Sequence, residues 1–424
     1  DLNGGANALG LAKLGAGTLQ LGGANTYSGA TLVQAGTLRL GSATALSPNT
    51  ALNVATGASF DANGYAQAFA HLNGTGTINV GGAGISVTPT GTNSFDGALT
   101  GSGGLTLNGL GKLVLNNTAN DFSGPVTLTR GTLEIGSSGA LPHGLNVTMT
   151  NDATLNLADH DTTVGHLTGD GQVNLGAATL TLSPGTGAST FGGGIVGAGG
   201  IRIHGGGTIV LTGANHYTGA TDITSGQLTL NGSLDSSSRV TVGVGGTLGG
   251  SGTLGDLTLS GILAPGNSPG TLNVGNTIWT AGGGYTWQIN DATGTAGANW
   301  DLLAVTGTLD LTSLNTTTLF TISLESLTAG DAVGDVANFD ATRDYSYTIA
   351  TASTGISGFS INTFAIDSSG FTNDLHGGAW SLSQIGHNLN LNFTAAAVPE
   401  PATYALLVGL GILAFATWRK RRKA

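Results

Sequence analysis

Side chains able to do chemistry are few and scattered in this 424-residue chain. Asp159, His160 and Asp161, with His166 close behind, form its one local cluster of acids and imidazoles. Those types could move a proton or hold a metal, and the same spacing fits a solvated turn between strands. Asp331, Asp335, Asp340 and Asp344 fall four, five and four residues apart with Arg343 among them, an oxygen-rich run that would suit calcium. The EF-hand spacing and the Gly-Gly-x-Gly-x-Asp repeat of calcium rolls are both missing, so an exposed acidic loop is the competing reading. Glycoside hydrolysis needs two carboxylates about 5–10 Å apart in a groove. Residues 1–275 hold a single Glu, Glu134, and their Asp residues are mostly solitary. Lyase chemistry wants clustered acids beside a base, and Arg39, Arg130, Arg202 and Arg239 accompany no such cluster. Absence of Cys excludes disulfides, thiolate metal sites and a cysteine nucleophile. The Gly runs at 192–194 and 282–284 lack the Gly-Lys-(Ser/Thr) ending of a phosphate loop, and no Gly-x-Ser-x-Gly elbow occurs. The expectation is a non-enzymatic protein without a cofactor, with a β-helix polysaccharide lyase or glycosidase as the alternative.

The C-terminus carries a different kind of signal. Val398-Pro-Glu-Pro401 precedes a charge-free run ending at Trp418, and Arg419, Lys420, Arg421, Arg422 and Lys423 follow. Pro399 and Pro401 fix their own φ and push Val398 and Glu400 into extended conformations, while Pro401 can open a helix. At 1.5 Å per residue, a helix over Ala402–Trp418 would measure about 26 Å, short for a ~30 Å hydrocarbon core but within range. Tyr404 and Trp418 occupy the positions of interfacial aromatics, and the basic cluster predicts a cytoplasmic C-terminus. A transmembrane helix is therefore expected, with everything before residue 398 outside the inner membrane.

The elements before it are set by an unusual composition. Gly numbers 75, charged residues make up 8%, and the net charge is −11. Gly without a G-X-Y period excludes collagen, 39% apolar residues are too many for a solvated disordered chain, and the acidic balance argues against nucleic acid. Residues 1–275 carry 59 Gly and 8 aromatics, whereas residues 276–397 carry 14 Gly and 13 aromatics. This shift places a boundary near 275, between a repeat region and an aromatic-rich β cap at 276–397; the tail 398–424 is a third unit.

The repeat region copies itself. Gly15-Ala-Gly-Thr-Leu-Gln-Leu21 returns as Gly109-Leu-Gly-Lys-Leu-Val-Leu115 and Gly205-Gly-Gly-Thr-Ile-Val-Leu211. Ala24-Asn-Thr-Tyr-Ser-Gly29 returns as Ala119-Asn-Asp-Phe-Ser-Gly124 and Ala214-Asn-His-Tyr-Thr-Gly219, and Gly36-Thr-Leu-Arg-Leu40 as Gly131-Thr-Leu-Glu-Ile135 and Gly226-Gln-Leu-Thr-Leu230, at offsets of 95. Within a copy, segments such as Leu105-Thr-Leu107 alternate apolar with polar, and Gly, Asn or Ser-Gly separates them. A strand bearing two inward Leu cannot make a core alone. Stacked in parallel about 4.8 Å apart, successive coils bury one aliphatic column and satisfy each other's backbone. The expectation is an all-β parallel β-helix, a rod on the order of 50–70 Å long at three to five coils per copy. The three copies fill 1–275, and the first is truncated at its start.

These repeats resemble the autotransporter-associated β-strand repeat of bacterial surface proteins. Gly245-Gly-Thr-Leu-Gly-Gly-Ser-Gly-Thr-Leu254 and Leu263-Ala-Pro-Gly-Asn-Ser-Pro-Gly-Thr-Leu272 resemble the close of such arrays, and Asn299-Trp-Asp-Leu-Leu303 a recurring element of their cap. The resemblance implies a right-handed β-helix passenger, exported and displayed. The chain departs from it in having no room for a translocator barrel after the repeats. In its place, Val398-Pro-Glu-Pro401, the apolar run and the basic tail are similar to the PEP-CTERM sorting signal. That similarity implies an exosortase-type peptidase as partner, cleavage near the motif, and delivery to the cell surface or exopolysaccharide of a Gram-negative-type bacterium, with structural or adhesive work in envelope or biofilm. A permanent membrane anchor is the plainer alternative. Asp1 begins inside a repeat copy with no leader before it, as expected of a fragment or a processed chain.

Overall fold

The computed structural model describes residues 9–48, 50–397 and 401–422. Its architecture is a parallel β-solenoid of about 14 turns. Each turn lays down short strands whose alternating residues point in and out: in Leu105-Thr-Leu107 both leucines are buried and Thr106 is not. Successive turns pair strand on strand, Leu11 with Thr31, Thr31 with Leu52 and Leu52 with Leu72, so one turn takes about 20 residues. At about 4.8 Å per turn the shaft is roughly 65 Å long.

Three stacks of strands run along it. The first begins at Leu11–Lys13 and passes through Thr31–Val33, Ala51–Val54 and His71–Gly74 to Thr92–Phe95. The last step is made by a side chain, because Asn93 accepts from the Leu72 amide and donates to the Leu72 carbonyl. The second stack begins at Thr18–Leu21, the third at Gln67–Phe69 with Ile85–Val87 and Leu105–Leu107 above it. Copy-equivalent strands therefore change stack. Leu11 lies in the first, Leu105 in the third, and Ile201, paired with Leu180 and Thr221, in the second. Ninety-five residues at about 20 per turn make roughly four and two-thirds turns, so each copy starts a third of a turn away from the one before.

One core fills the lumen from Tyr27 to Leu391. Parallel stacking continues past residue 275: Thr271–Val274 pairs with Leu302–Val305, and Gly284–Ile289 with Phe320–Ser326. Only the last strands reverse, with Asn388–Thr394 antiparallel to both Tyr345–Ala352 and Ala379–Ile385. Trp279 stacks on Phe320 at 4.5 Å and meets Tyr285 and Phe364 edge-on, while Trp287 packs against Tyr347 and Trp380. These large rings close the aliphatic column over more area than leucine could.

The repeated Gly36, Gly131 and Gly226 all have positive φ, at 67°, 81° and 74°. A methyl at Gly131 would lie 2.1 Å from the Gly109 carbonyl oxygen of the turn below. Both constraints demand glycine. Gly131→Ala is expected to lower shaft stability by about 3 kcal/mol from its strained φ and the clash, whereas Gly57→Ala, with open space around its Cβ, carries the φ strain alone. Equal urea midpoints for the two variants would contradict the close-approach account.

A helix, Pro401–Arg421, follows the solenoid. The expected bilayer span is corrected: among the described residues, no helix is long and apolar enough to cross a membrane. The described stretch of this helix, 410–419, is too short and too polar for a bilayer.

Candidate functional site

The repeated Asn of each copy is an internal staple. Asn120 accepts from the Leu99 amide at 2.7 Å and donates to the Ala140 carbonyl at 2.7 Å, bridging the turns below and above. Asn215 does the same between the Ile195 amide and the Ser233 carbonyl, and Asn25 donates to the Ala45 carbonyl. All three are buried, at places where short strands interrupt a stack. The repeated aromatic follows suit. Tyr27 shares a hydrogen bond with Thr31, and Tyr217 with Thr221, whereas Phe122 and Val126 hold the equivalent positions in the middle copy without hydroxyls. Burial pushes the Tyr217 phenol well above its usual range. The consensus thus encodes construction of the rod.

The scattered acids are staples too. Asp159 and Asp161 accept from the backbone amides of Ala177 and Thr179 on the next turn, both at 2.7 Å. The turn reading of that cluster is the one the geometry fits. Glu134 receives Lys112 and Asn156, each at 2.8 Å, from the turns on either side; the Lys112 ammonium chiefly holds its carboxyl below the ordinary range. Arg39 pairs with Asp61 at 3.2 Å.

In the cap, Asp331, Asp335, Asp340 and Asp344 do not converge. Asp331 takes the Asn290 amide, Asp335 the Thr372 hydroxyl, Asp340 the Thr342 amide and hydroxyl, and Asp344 the Ala395 amide. Among the described residues, no group of three or more His, Asp or Glu side chains lies close enough to hold a metal.

Asp301 is the ionisable group that sequence reasoning passed over. Its side chain is fully buried, with one oxygen taking the Gly270 amide at 2.8 Å and the other the Gln288 amide at 2.9 Å. Its backbone carbonyl accepts from the Trp287 indole. Burial, aided by the charge of Glu325, pushes its carboxyl up to about 8. A loop at Gly270 and the strand Gly284–Ile289 meet on this one side chain, and the signal for it was the Trp300-Asp301-Leu302 setting, an acid between apolar residues. Trp300 and Trp380 pack among Tyr347, Phe371 and Phe393 rather than standing out as sugar-stacking platforms.

At the C-terminus, Val398, Pro399, Glu400 and Lys423 lie outside the described residues, as do the side chains of Pro401, Tyr404, Lys420 and Arg421. Of the rest, Val408, Leu410, Ile412, Leu413, Phe415 and Trp418 are exposed. The Arg422 guanidinium sits 4.4 Å above the Trp418 ring, and Arg419 is exposed. Exposed apolar side chains followed by cations are suited to an amphiphilic surface.

Comparison with known proteins agrees with this layout. The passenger-associated-transport-repeat model matches residues 11–40, 100–135 and 204–232, one segment in each copy. The PEP-CTERM protein-sorting motif matches residues 397–422. The chain is also 36% identical over 216 residues to "Adhesin BmaC autotransporter" of Brucella suis biovar 1 (strain 1330). That alignment covers 48% of this chain and 6% of the relative, so the chain corresponds to a small part of that protein. A β-solenoid built on passenger-associated-transport repeats and ending in a PEP-CTERM protein-sorting motif is what the geometry and these matches together describe.

Proposed function

We propose that this is a non-catalytic protein exported to the cell surface, sorted through its C-terminal signal and working as an adhesive or structural rod. The observation that carries the reading is the joining of a sorting motif at 397–422 to a shaft whose polar side chains are spent on holding turns together. In this scheme the exposed apolar helix and the cluster Arg419 to Lys423 bring the motif to the inner membrane. An exosortase-type peptidase then acts at the singly charged Val398-Pro399-Glu400-Pro401, and the rod passes to the surface or the extracellular matrix. The adhesin name of the relative supports the adhesive role, and neutral exopolysaccharide is the proposed partner, since the shaft is poor in charge and rich in hydroxyls and amides.

The test is the mass of the mature protein from cells with and without an exosortase. Loss of the helix and basic tail is expected only in cells that have the peptidase, and the triple variant Pro399→Ala, Glu400→Ala, Pro401→Ala should keep the tail in both, with processing at least tenfold slower. An intact C-terminus in both strains refutes the sorting role.

A further inference from the structure

The last strand, Asn388–Thr394, is prolonged by one residue through a side chain. Its pairing with Tyr345–Ala352 ends where Phe393 meets Tyr345, while Thr394 still pairs with Ala379 on the other side. Asp344, the residue before Tyr345, then takes the Ala395 amide on its carboxylate at 2.8 Å. The loop that carries Asp344 is fixed to the cap. Phe339 meets Phe371 and Phe393 edge-on, both at 5.1 Å, and stacks on Tyr345 at 5.4 Å. The Tyr345 hydroxyl accepts the Asp340 amide at 2.8 Å, and the Asp340 carbonyl accepts the Arg343 amide at 3.0 Å. A carboxylate held in place by its own loop and accepting a backbone N–H makes one of the stronger kinds of hydrogen bond. Order stops there: Ala395 is half-buried, and Ala396 and Ala397 are exposed. Only these three alanines separate the last strand from Val398, where the proposed processing stretch begins.

We infer that the Asp344 carboxylate is a latch on the exit of the chain, and that the peptidase takes the sorting segment only while Ala395 is released. The inference rests on the sorting role proposed above and adds its regulation. A cleft that binds an extended peptide does so largely through main-chain hydrogen bonds, and a peptidase makes them to residues upstream of the bond it cuts. With so short a connection, those upstream residues include Ala395, whose N–H is already committed to Asp344. Latched and peptidase-bound states therefore compete for one amide. Only the released fraction can bind, so the latch raises the KM of processing and leaves the rate of the bound complex unchanged. The chain stays on its C-terminal helix until a peptidase wins that amide.

Pulse–chase labelling in cells that have the exosortase follows loss of the helix and basic tail from the full chain by mass. Asp344→Ala is expected to shorten the half-time roughly three- to tenfold, the worth of one such bond at an exposed site. Arg343→Ala, one residue away in the same loop, should leave it unchanged. Inserting Gly-Ser-Gly-Ser between Ala397 and Val398 supplies upstream residues that nothing holds. This variant should match Asp344→Ala, and combining the two should gain nothing more. With membranes from those cells as the enzyme source, the gain in Asp344→Ala should fall on KM and not on the maximum rate. Processing of wild type and Asp344→Ala with equal half-times, or a slower variant, overturns the latch and leaves the sorting role standing. A gain from Asp344→Ala that persists on top of the insertion also overturns it, because that marks a loosened cap rather than a released Ala395. Failure of every variant to be processed refutes latch and sorting together.

Discussion

The cap should weaken as pH rises from about 4 to about 8, a range where most proteins are indifferent to pH. The Asp301 carboxyl stands at about 8 in the folded chain against 3.8 for the free side chain. Its folded value is raised, so between these limits the folded state holds a proton that the unfolded state has released. Stability is then full below about pH 4 and declines as pH rises through about 8. Four units at 1.36 kcal/mol each make the total loss on the order of 5 kcal/mol. The charged neighbour that acts on it among the described residues is negative: Glu325, held to Gln288, adds to the shift, and the Tyr285 phenol is itself pushed up by burial and by Asp301. Carboxyls held low by their hydrogen bonds, Asp291 and Asp310 among them, act oppositely and cost stability only as pH falls below the usual carboxylate range. Maximum cap stability is therefore expected near pH 4 to 5. Urea unfolding followed by Trp fluorescence reports on this part of the chain, since every Trp except Trp418 lies between Trp279 and Trp380. Asp301→Asn should abolish this slope between pH 4 and 8 while turning one amide hydrogen toward a backbone donor, which lowers stability at pH 5. A wild-type midpoint that does not move between pH 5 and pH 9 rules this linkage out.

Trp279 should respond to substitution in two opposite ways. It is fully buried, stacked on Phe320, and its indole nitrogen has no hydrogen-bond partner among the described residues. Trp279→Ala leaves a cavity at the junction of shaft and cap and is expected to cost about 3–5 kcal/mol. Trp279→Phe keeps the stack, loses less volume and removes the unpaired N–H, whose burial costs about 1–3 kcal/mol. Its net effect should lie within about 1.5 kcal/mol of zero. Urea midpoints at pH 5 separate the cases, and a Phe variant as unstable as the Ala variant would mean that the nitrogen finds a partner in solution.

How much of this was legible beforehand depends on range. Leu105-Thr-Leu107 announces an inward pair and an outward hydroxyl by alternation alone, and Gly131 announces its turn, because both constraints act within a few residues. The stacking of such strands followed from their being too short to bury themselves. The change of stack between copies was hidden, since it depends on the mismatch between a 95-residue repeat and a turn of about 20. Asp301 was harder to read for another reason: beyond its apolar neighbours in sequence, its burial depends on Gly270, which arrives from about 30 residues away. The helix over Pro401–Arg421 was read correctly as helical, while its described stretch at 410–419 is too short and polar for the span expected of it.

The fractional turn per copy acts like the dial of a compass. Adding or losing one copy by recombination would lengthen or shorten the rod by roughly 22 Å at 4.8 Å per coil, and would also swing everything beyond the joint by a third of a circle. The distal end would then face a new bearing toward neighbouring cells or matrix. Gains or losses of three copies alone would change reach while preserving heading.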